Sequence, residues 1–423
     1  MIGRREAACH YFYRVEKLSK WIARGYFILF ALLPWSLECA FGAWKINVPS
    51  EPLIAALGIG ILWFVLKNPG AIRASFSNNF LLKISVGWIG WLGLSACFST
   101  MPLVSWKYWI VEAGHWWVFA VGLAMFPSVW PRALWLFAFS MAGVAVYTLI
   151  HHSYYDFRSD QALLAPMPFF PENTLYAAVL AMLLFLVRGG SEQQNSGKTG
   201  LTLVFLAALV FSFCRAAWLS VLVAGFVGSL LIFREKWRLI AFSGFLLLAC
   251  GFVCGEWIVE KIKSDVSSLE RLNRYGAALR MAQEKPLTGF GPGTFQFQYI
   301  PFQRPEEMTR ISAREPVLER SPLTYGRGGG AHSEFFQALA ETGWLGLLLL
   351  TVLIITALNE GFKLVFFEKN TRNQCIALAL ALSLLTFFIH SFANNMLHDG
   401  RIAVLFWGTL VTVSTGISSR QEQ

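Results

Sequence analysis

Long apolar runs recur along almost the whole of this sequence, and they restrict its fold more than any other feature. An apolar run of roughly 20 residues is long enough to cross a bilayer as a helix. Backbone polar groups must be satisfied internally in lipid, so such runs fold as helices there. The sequence therefore predicts an all-α polytopic membrane protein with about twelve transmembrane helices. The predicted spans lie near residues 26–44, 51–67, 80–98, 106–126, 131–150, 172–187, 200–214, 216–233, 239–256, 343–360, 374–392 and 402–418.

The charged residues lie mainly in the connectors and follow an alternating pattern. Only 14% of the 423 residues are charged, and the net charge is +10. The N-terminal head and every second short connector are rich in Lys and Arg, which predicts cytoplasmic N- and C-termini by the positive-inside rule. No cleavable signal peptide is expected. The positive charge then belongs beside the membrane, so membrane lipids and not nucleic acid are the expected partners.

One polar segment, from about residue 256 to residue 342, is far too long for a simple connector. It divides the chain into N-terminal transmembrane helices (1–255), a large periplasmic loop with helical segments (256–342) and C-terminal transmembrane helices (343–423). Long connectors in compact proteins usually carry function. We therefore expect the chemistry in or beside this loop, on the extracytoplasmic side of the membrane.

Arg215 is a lone cation between two apolar runs. An arginine at membrane depth is costly, so it faces a cavity or an anion, or else extends to the lipid headgroups. Glu38, inside the first predicted span, is a second suspect for the same reason.

The start of the large loop predicts a helix over residues 267–284, which ends before Pro286. This helix carries Arg271, Arg274 and Arg280. After it comes a run with three alternating glycines, including Gly291 and Gly293. Such a run forms either a plain turn or a turn whose amides bind a phosphate.

His332 follows three glycines, at the point where a helix is predicted to begin near Ser333. A histidine titrates near neutral pH, which suits proton transfer, although a lone histidine is often structural. A polar run from His390 to Arg401 has no ligand spacing typical of a metal site, and no Cys-x-x-Cys motif is present. Neither a metal nor a cofactor is expected.

Three sequence segments together resemble the bacterial O-antigen ligase family, which shares a superfamily with O-antigen polymerases and protein O-oligosaccharyltransferases. The likeness extends over most of the chain. The segments are Cys-Arg-Ala-Ala-Trp at 214–218, Pro-Leu-Thr-Gly-Phe-Gly-Pro-Gly-Thr-Phe at 286–295, and His-Ser-Glu-Phe-Phe at 332–336 with Glu-Thr-Gly-Trp-Leu-Gly at 341–346.

The resemblance implies a metal-independent glycosyltransferase similar to the GT-C type, in the inner membrane of a Gram-negative bacterium. It would transfer O-antigen polysaccharide from undecaprenyl pyrophosphate to lipid A–core oligosaccharide, with inversion and with its active site facing the periplasm. The implied catalytic residues are His332 as the proton acceptor, with Arg215 and Arg280 on the pyrophosphate. The implied substrate-binding residues are Arg271, Arg274, Gly291, Gly293 and Glu334.

The sequence leaves two choices open. Arg271 is the alternative to Arg280, because related sequences often place an arginine ahead of an aromatic residue, here Tyr275. The acceptor is the other choice. A polymerase or a protein O-oligosaccharyltransferase differs from a ligase only in its acceptor, and a lipid-linked glycan transporter is a remoter possibility, favoured only by inverted repeats.

Overall fold

The computed structural model describes residues 2–41, 44–77, 79–189, 195–236, 238, 266–304 and 329–416. Within these ranges the chain is almost entirely helical. The helices are α1 (Ile2–Leu32), α2 (Ser50–Lys67), α3 (Pro69–Ser77), α4 (Phe80–Cys97), α5 (Pro102–Trp116), α6 (Val129–Ser153), α7 (Asn173–Gly189), α8 (Asn195–Val210), α9 (Arg215–Ile232), α10 (Val266–Glu284), α11 (Phe295–Gln298), α12 (Glu334–Phe367), α13 (Thr371–Ser391) and α14 (Gly400–Thr415).

Most of the described helices fall where the apolar runs predict them, and the span predicted near 106–126 corresponds to α5 followed by a π-helical stretch (Trp117–Gly122) and one short helical turn (Leu123–Met125). In the described part of the chain, six helices are long and apolar enough to cross a membrane, namely α2, α4, α6, α9, α12 and α13. Shorter apolar helices match the predicted spans near 172–187, 200–214 and 402–418. The span predicted near 239–256 lies outside the described residues. The helix predicted over 267–284 is confirmed as α10, and the helix predicted near Ser333 is confirmed as α12.

The first apolar run is the exception. The predicted span near 26–44 is wrong in its second half, because α1 ends at Leu32 and an antiparallel hairpin of β1 (Leu37–Phe41) and β2 (Trp44–Val48) follows. Glu38 lies in β1, opposite Asn47. It is therefore not a carboxylate inside a membrane helix, and the argument that made it a functional suspect no longer applies.

The core of the fold is formed by helices that are apolar on every side. Every residue of α14 from Arg401 to Val413 is buried, and α7 is buried over most of its length. A helix that is hydrophobic all round has no face for water and packs in the interior. The helix α13 packs against α7, α9, α12 and α14, and so joins these interior helices to the outer ones.

Four helix ends come together at one end of this bundle. The N-termini of α9, α12 and α14 lie there with the C-terminus of α13, and α10 packs against α12 close by. The connection is direct, because the Ser333 hydroxyl at the start of α12 donates to the Ser391 carbonyl at the end of α13. Arg215 and His332 both lie at this end.

Candidate functional site

The helix α10 presents two different faces to the protein. Arg271 and Arg280 are nine positions apart, and at 3.6 residues per turn that separation places them about 180° apart around the helix axis. Arg271, Arg274 and Tyr275 lie on the face that looks toward His332, since each of them acts on that residue through its charge or a hydrogen bond. The two arginines left open by the sequence therefore point to different surroundings.

Arg280 holds a neighbouring turn. Its Nε donates to the carbonyl oxygen of Phe302, in the short 3₁₀ turn Ile300–Phe302 that follows α11. The groups whose charges act on His332 are Arg274, Arg271 and Glu270. The structure thus places Arg280 with the turn and not with the histidine.

Arg274 is part of the scaffold around His332. Its Nε lies 3.0 Å from Oε1 of Glu270, and both side chains are almost completely buried. Its Nη1 donates to the Gly330 carbonyl at 2.8 Å, and its guanidinium lies over the ring of Tyr299. A buried arginine with a carboxylate partner and further hydrogen bonds is fully engaged inside the protein. Arg274 therefore fixes the segment that precedes His332.

Arg271 has a different environment from Arg274. Within the described residues its buried Nε has no hydrogen-bond partner. Burial lowers the pKa of the His332 imidazole and raises the pKa of the Cys214 thiol, and the positive charge of Arg271 acts to lower both. The charge of Arg271 therefore acts on the turn that carries His332 and on the turn that carries Arg215. A half-buried guanidinium whose Nε has no partner among the described residues suits an anion supplied from outside the protein.

The backbone at His332 is held in an unusual conformation. His332 has φ of 53°, in the left-handed region that residues with a Cβ seldom adopt. The surrounding contacts fix it, because the Ala331 amide donates to Oε1 of Gln337 at 3.0 Å and the Tyr275 hydroxyl bonds the His332 carbonyl at 3.1 Å. Strain of this kind persists only where the neighbouring structure imposes it, and it is concentrated at functional sites.

The His332 imidazole is neutral at neutral pH. Burial, followed by the positive charges of Arg274 and Arg271, lowers the pKa of His332 to about 4, and Glu270 offsets this only in part. A neutral imidazole can accept a proton, whereas a protonated one cannot. The ring is half-buried and adjoins the N-terminus of α12, so a substrate at this end of the bundle can reach it.

Arg215 is the first residue of α9 and is exposed. The preceding turn, which includes Phe213 with φ of 51°, is fixed by hydrogen bonds. Asn173 donates to the Ser212 carbonyl at 2.9 Å, and the Trp218 indole donates to the Leu209 carbonyl at 2.8 Å. A helix N-terminus carries a partial positive charge. The side chain of Arg215 and the start of α9 therefore offer positive charge from the same place.

The glycine-rich turn uses its amides inside the protein. The Gly291 amide donates to the Glu341 carbonyl at 2.8 Å, and the Gly293 amide donates to Oε2 of Glu341 at 2.8 Å. The Phe295 amide donates to Oε1 of the same carboxylate at 2.9 Å. These donors, which the sequence made available to a phosphate, are already satisfied. Gly291 is instead needed for close packing, since a Cβ there would overlap the Ser99 hydroxyl.

The turn fits into a break in α12. Gly343 has φ of 72° and ψ of −173°, so its backbone leaves the helical conformation in the middle of the helix. A Cβ at Gly343 would overlap the Leu287 carbonyl, and the Trp344 amide donates to the Pro286 carbonyl at 2.9 Å. The glycine-rich turn and the break in α12 therefore form a single joint between α10 and α12.

Glu334 is also engaged within the protein. Its Oε1 accepts hydrogen bonds from the Met396 and Leu397 amides, in the segment that joins α13 to α14. The side chain is buried. Glu334 thus fixes the segment between α13 and α14, whereas the family resemblance implies a role in substrate binding.

Two residues of this region escaped the sequence-based prediction. Glu341 stands in the sequence only as one residue of a motif, although it joins the glycine-rich turn to α12. His390 belongs to a polar run without metal-ligand spacing, and its ring lies beside Cys214. Their partners are far away along the chain, so local sequence patterns contain no signal for either contact. Among the described residues, no group of three or more His, Cys, Asp or Glu side chains could hold a metal ion.

Comparison with known proteins gives one match. Residues 200–351 match the family model that is described as O-antigen ligase. The matched segment contains Arg215, the arginines of α10, the glycine-rich turn and His332, whereas the end of α13 with His390 lies outside it. No curated protein matches the chain.

Proposed function

We propose that this chain, which belongs to the O-antigen ligase family, transfers O-antigen polysaccharide from undecaprenyl pyrophosphate to lipid A–core oligosaccharide. One observation carries the proposal: Arg271, a half-buried side chain whose buried Nε has no partner among the described residues, lies on the same face of α10 as Tyr275, whose hydroxyl donates to the carbonyl of His332. A lipid-linked donor requires an anion site at the end of apolar helices, and a transferase also requires a base beside that site.

The reaction follows from these groups. A hydroxyl oxygen of the acceptor sugar attacks the anomeric carbon of the donor, and His332 accepts the hydroxyl proton. The bond from the anomeric carbon to the pyrophosphate oxygen breaks, and undecaprenyl pyrophosphate leaves with the bonding electrons. Arg215 and Arg271 stabilise the negative charge that develops on the leaving group. A single displacement inverts the anomeric centre.

We assign the second pyrophosphate ligand to Arg271 and not to Arg280. The two arginines lie on opposite faces of α10, and Arg280 is bonded to the Phe302 carbonyl. Arg274 and Glu334 are assigned to positioning, since Arg274 donates to the Gly330 carbonyl before α12 and Glu334 accepts from the Leu397 amide between α13 and α14. Gly291 and Gly293 are assigned to packing of the glycine-rich turn.

The proposed orientation places this site in the periplasm and both termini in the cytoplasm of a Gram-negative cell, with about twelve membrane helices in total. The distribution of basic residues supports it. The helix α9 begins at Arg215 and ends before Arg234 and Lys236, while α12 begins beside His332 and ends before Lys369. The ends of these helices that are remote from the site are therefore the basic ends, as the positive-inside rule requires of cytoplasmic loops.

The experiment is complementation of a Gram-negative strain that lacks its own ligase but makes the matching lipopolysaccharide core. Wild type should restore the O-antigen ladder on lipid A–core, and His332→Ala should not. Arg271→Ala should lose about 2–5 kcal/mol of binding to a buried charged partner, which corresponds to a roughly 30- to 5,000-fold loss of transfer. Arg280→Ala is the matched control on the opposite face of α10.

Two outcomes would contradict the proposal. A ladder of normal intensity with His332→Ala would remove the assignment of the base. If well-expressed wild type gave no ladder, the acceptor would be a different molecule, and assays of polymer extension and of protein glycosylation would decide between the two alternatives.

A further inference from the structure

His390 is a buried histidine with one ring nitrogen unused. It lies in the last turn of α13 and is 1% exposed. Its Nε2 lies 3.9 Å from Sγ of Cys214, the residue before Arg215. Among the described residues its Nδ1 has no hydrogen-bond partner. Buried polar atoms without partners are uncommon in folded proteins, so this nitrogen requires an explanation.

The contact with Cys214 is used to assign the proton of the His390 ring. Burial raises the pKa of the Cys214 thiol, although backbone hydrogen bonds from Ala217 and Ala216 and the charges of Arg271 and Arg215 oppose the effect, so the thiol keeps its hydrogen at neutral pH. With that hydrogen available, we assign the S–H as the donor to Nε2 of His390. A neutral imidazole has one donor and one acceptor nitrogen, so Nδ1 carries the hydrogen and is the donor.

Arg271 and His390 both lie where α10 meets the end of α13. Tyr275, one turn after Arg271, donates through its hydroxyl to the carbonyl of Phe392, two residues after His390, at 2.9 Å. The positive charge of Arg271 acts electrostatically on the His390 ring, and the Arg271 Nε is itself buried without a partner in the described part of the chain. Two buried donors at this contact, each without a partner among the described residues, suit a ligand with several acceptor oxygens. A phosphate group has that character, whereas a sugar hydroxyl also donates.

We propose that Nδ1 of His390 donates a hydrogen bond to a pyrophosphate oxygen of the lipid-linked donor, beside Arg271. This inference rests on the function proposed above and extends it by one binding residue. The two histidines then have different roles, because His332 accepts the proton and His390 binds the leaving group.

Replacing His390 by Asn or by Gln tests this proposal. Asn has a nitrogen as many bonds from Cα as Nδ1 of histidine, whereas the nitrogen of Gln corresponds to Nε2. His390→Asn therefore retains the proposed donor and His390→Gln does not. The matched control is His151→Gln, because Nδ1 of His151 already bonds the Ala165 carbonyl away from the site.

Binding is measured for the full chain in nanodiscs, from the rise in unfolding temperature on addition of undecaprenyl pyrophosphate. We expect His390→Gln to bind about 10- to 100-fold more weakly than wild type, as for loss of a hydrogen bond to a charged group. His390→Asn and His151→Gln should bind within about threefold of wild type, since each retains the proposed contact.

Each contrary result has one meaning. If His390→Gln binds as tightly as wild type while Arg271→Ala does not, His390 is not a ligand. If His390→Asn is as weak as His390→Gln, the donor is not Nδ1. If phosphatidic acid produces the same shift as undecaprenyl pyrophosphate, the site accepts any phosphate and the pyrophosphate assignment fails. If wild type binds undecaprenyl pyrophosphate but forms no O-antigen ladder, the transfer proposal fails and the assignment of His390 stands.

Discussion

Glu341 should be the main stabilising residue of the joint between α10 and α12. Its carboxylate accepts the Gly293 amide at 2.8 Å, the Phe295 amide at 2.9 Å and the Gln337 side-chain amide at 3.1 Å. Removal of the carboxylate leaves two buried backbone donors without an acceptor, at a cost of about 1–3 kcal/mol each. The expected loss in the free energy of unfolding is therefore about 2–6 kcal/mol for Glu341→Ala. Glu341→Gln retains one acceptor oxygen and should lose about half as much.

The assay is equilibrium unfolding of the purified protein in mixed micelles with increasing dodecyl sulfate. Glu360→Ala is the matched control, because Glu360 lies on the same helix in an exposed pair with Lys363. Exposed pairs of this kind contribute less than about 1 kcal/mol. Hydrogen exchange adds a local measurement, since Glu341→Ala should remove the protection of the Gly293 and Phe295 amides. Equal stability of the 341 and 360 variants, with those amides still protected, would refute the reasoning.

Two further predictions concern the break in α12 and the protonation of His332. Gly343→Ala should lower the free energy of unfolding by at least about 2 kcal/mol, because φ is 72° and a Cβ would overlap the Leu287 carbonyl. Gly225 has open space around it, so Gly225→Ala should be neutral or slightly stabilising in the same measurement. Since the pKa of His332 is lowered to about 4, its base form persists well below the pKa of an ordinary histidine, so the acid limb of kcat/KM should lie near pH 4. The acid limb of kcat should lie at higher pH than that of kcat/KM, because the negative charge of bound pyrophosphate favours the imidazolium form of His332. An acid limb of kcat/KM near pH 6.5 would contradict the assignment of His332 as the base.

The helices could be predicted from the sequence because lipid leaves few alternatives to a long apolar run. The hairpin of β1 and β2 could not, since the first apolar run continues through β1 with only Ser36 and Glu38 as polar residues before Phe41. Periodicity does not separate a short apolar strand from the end of a buried helix. The sequence therefore extended the first helix through residues that turn back on themselves, and Glu38 was placed in the membrane as a result.

The site could be predicted in part for a related reason. Residue type and setting were sufficient to select Arg215 and His332 as candidates, because a cation or a histidine at the end of an apolar run is unusual. The use of the glycine amides could not be predicted, since their acceptor, Glu341, lies nearly fifty residues away. The sequence spacing shows that Arg271 and Arg280 lie on opposite sides of α10, but which side meets His332 depends on tertiary packing.

The helix α10 carries both a ligand of the proposed donor and the supports of the proposed base. Arg271 provides the unused guanidinium donor, while Arg274 bonds the Gly330 carbonyl and Tyr275 bonds the His332 carbonyl. The distance between the leaving group and the base is then set by residues of one rigid helix. The joint that Glu341 stabilises attaches this helix to α12. Preorganisation of this kind lowers the barrier because the charged groups need no rearrangement as the bond breaks. Substitutions at the Glu341 joint should therefore reduce kcat more than they weaken binding of the donor, because they move the base relative to an anion site that Arg215 still holds.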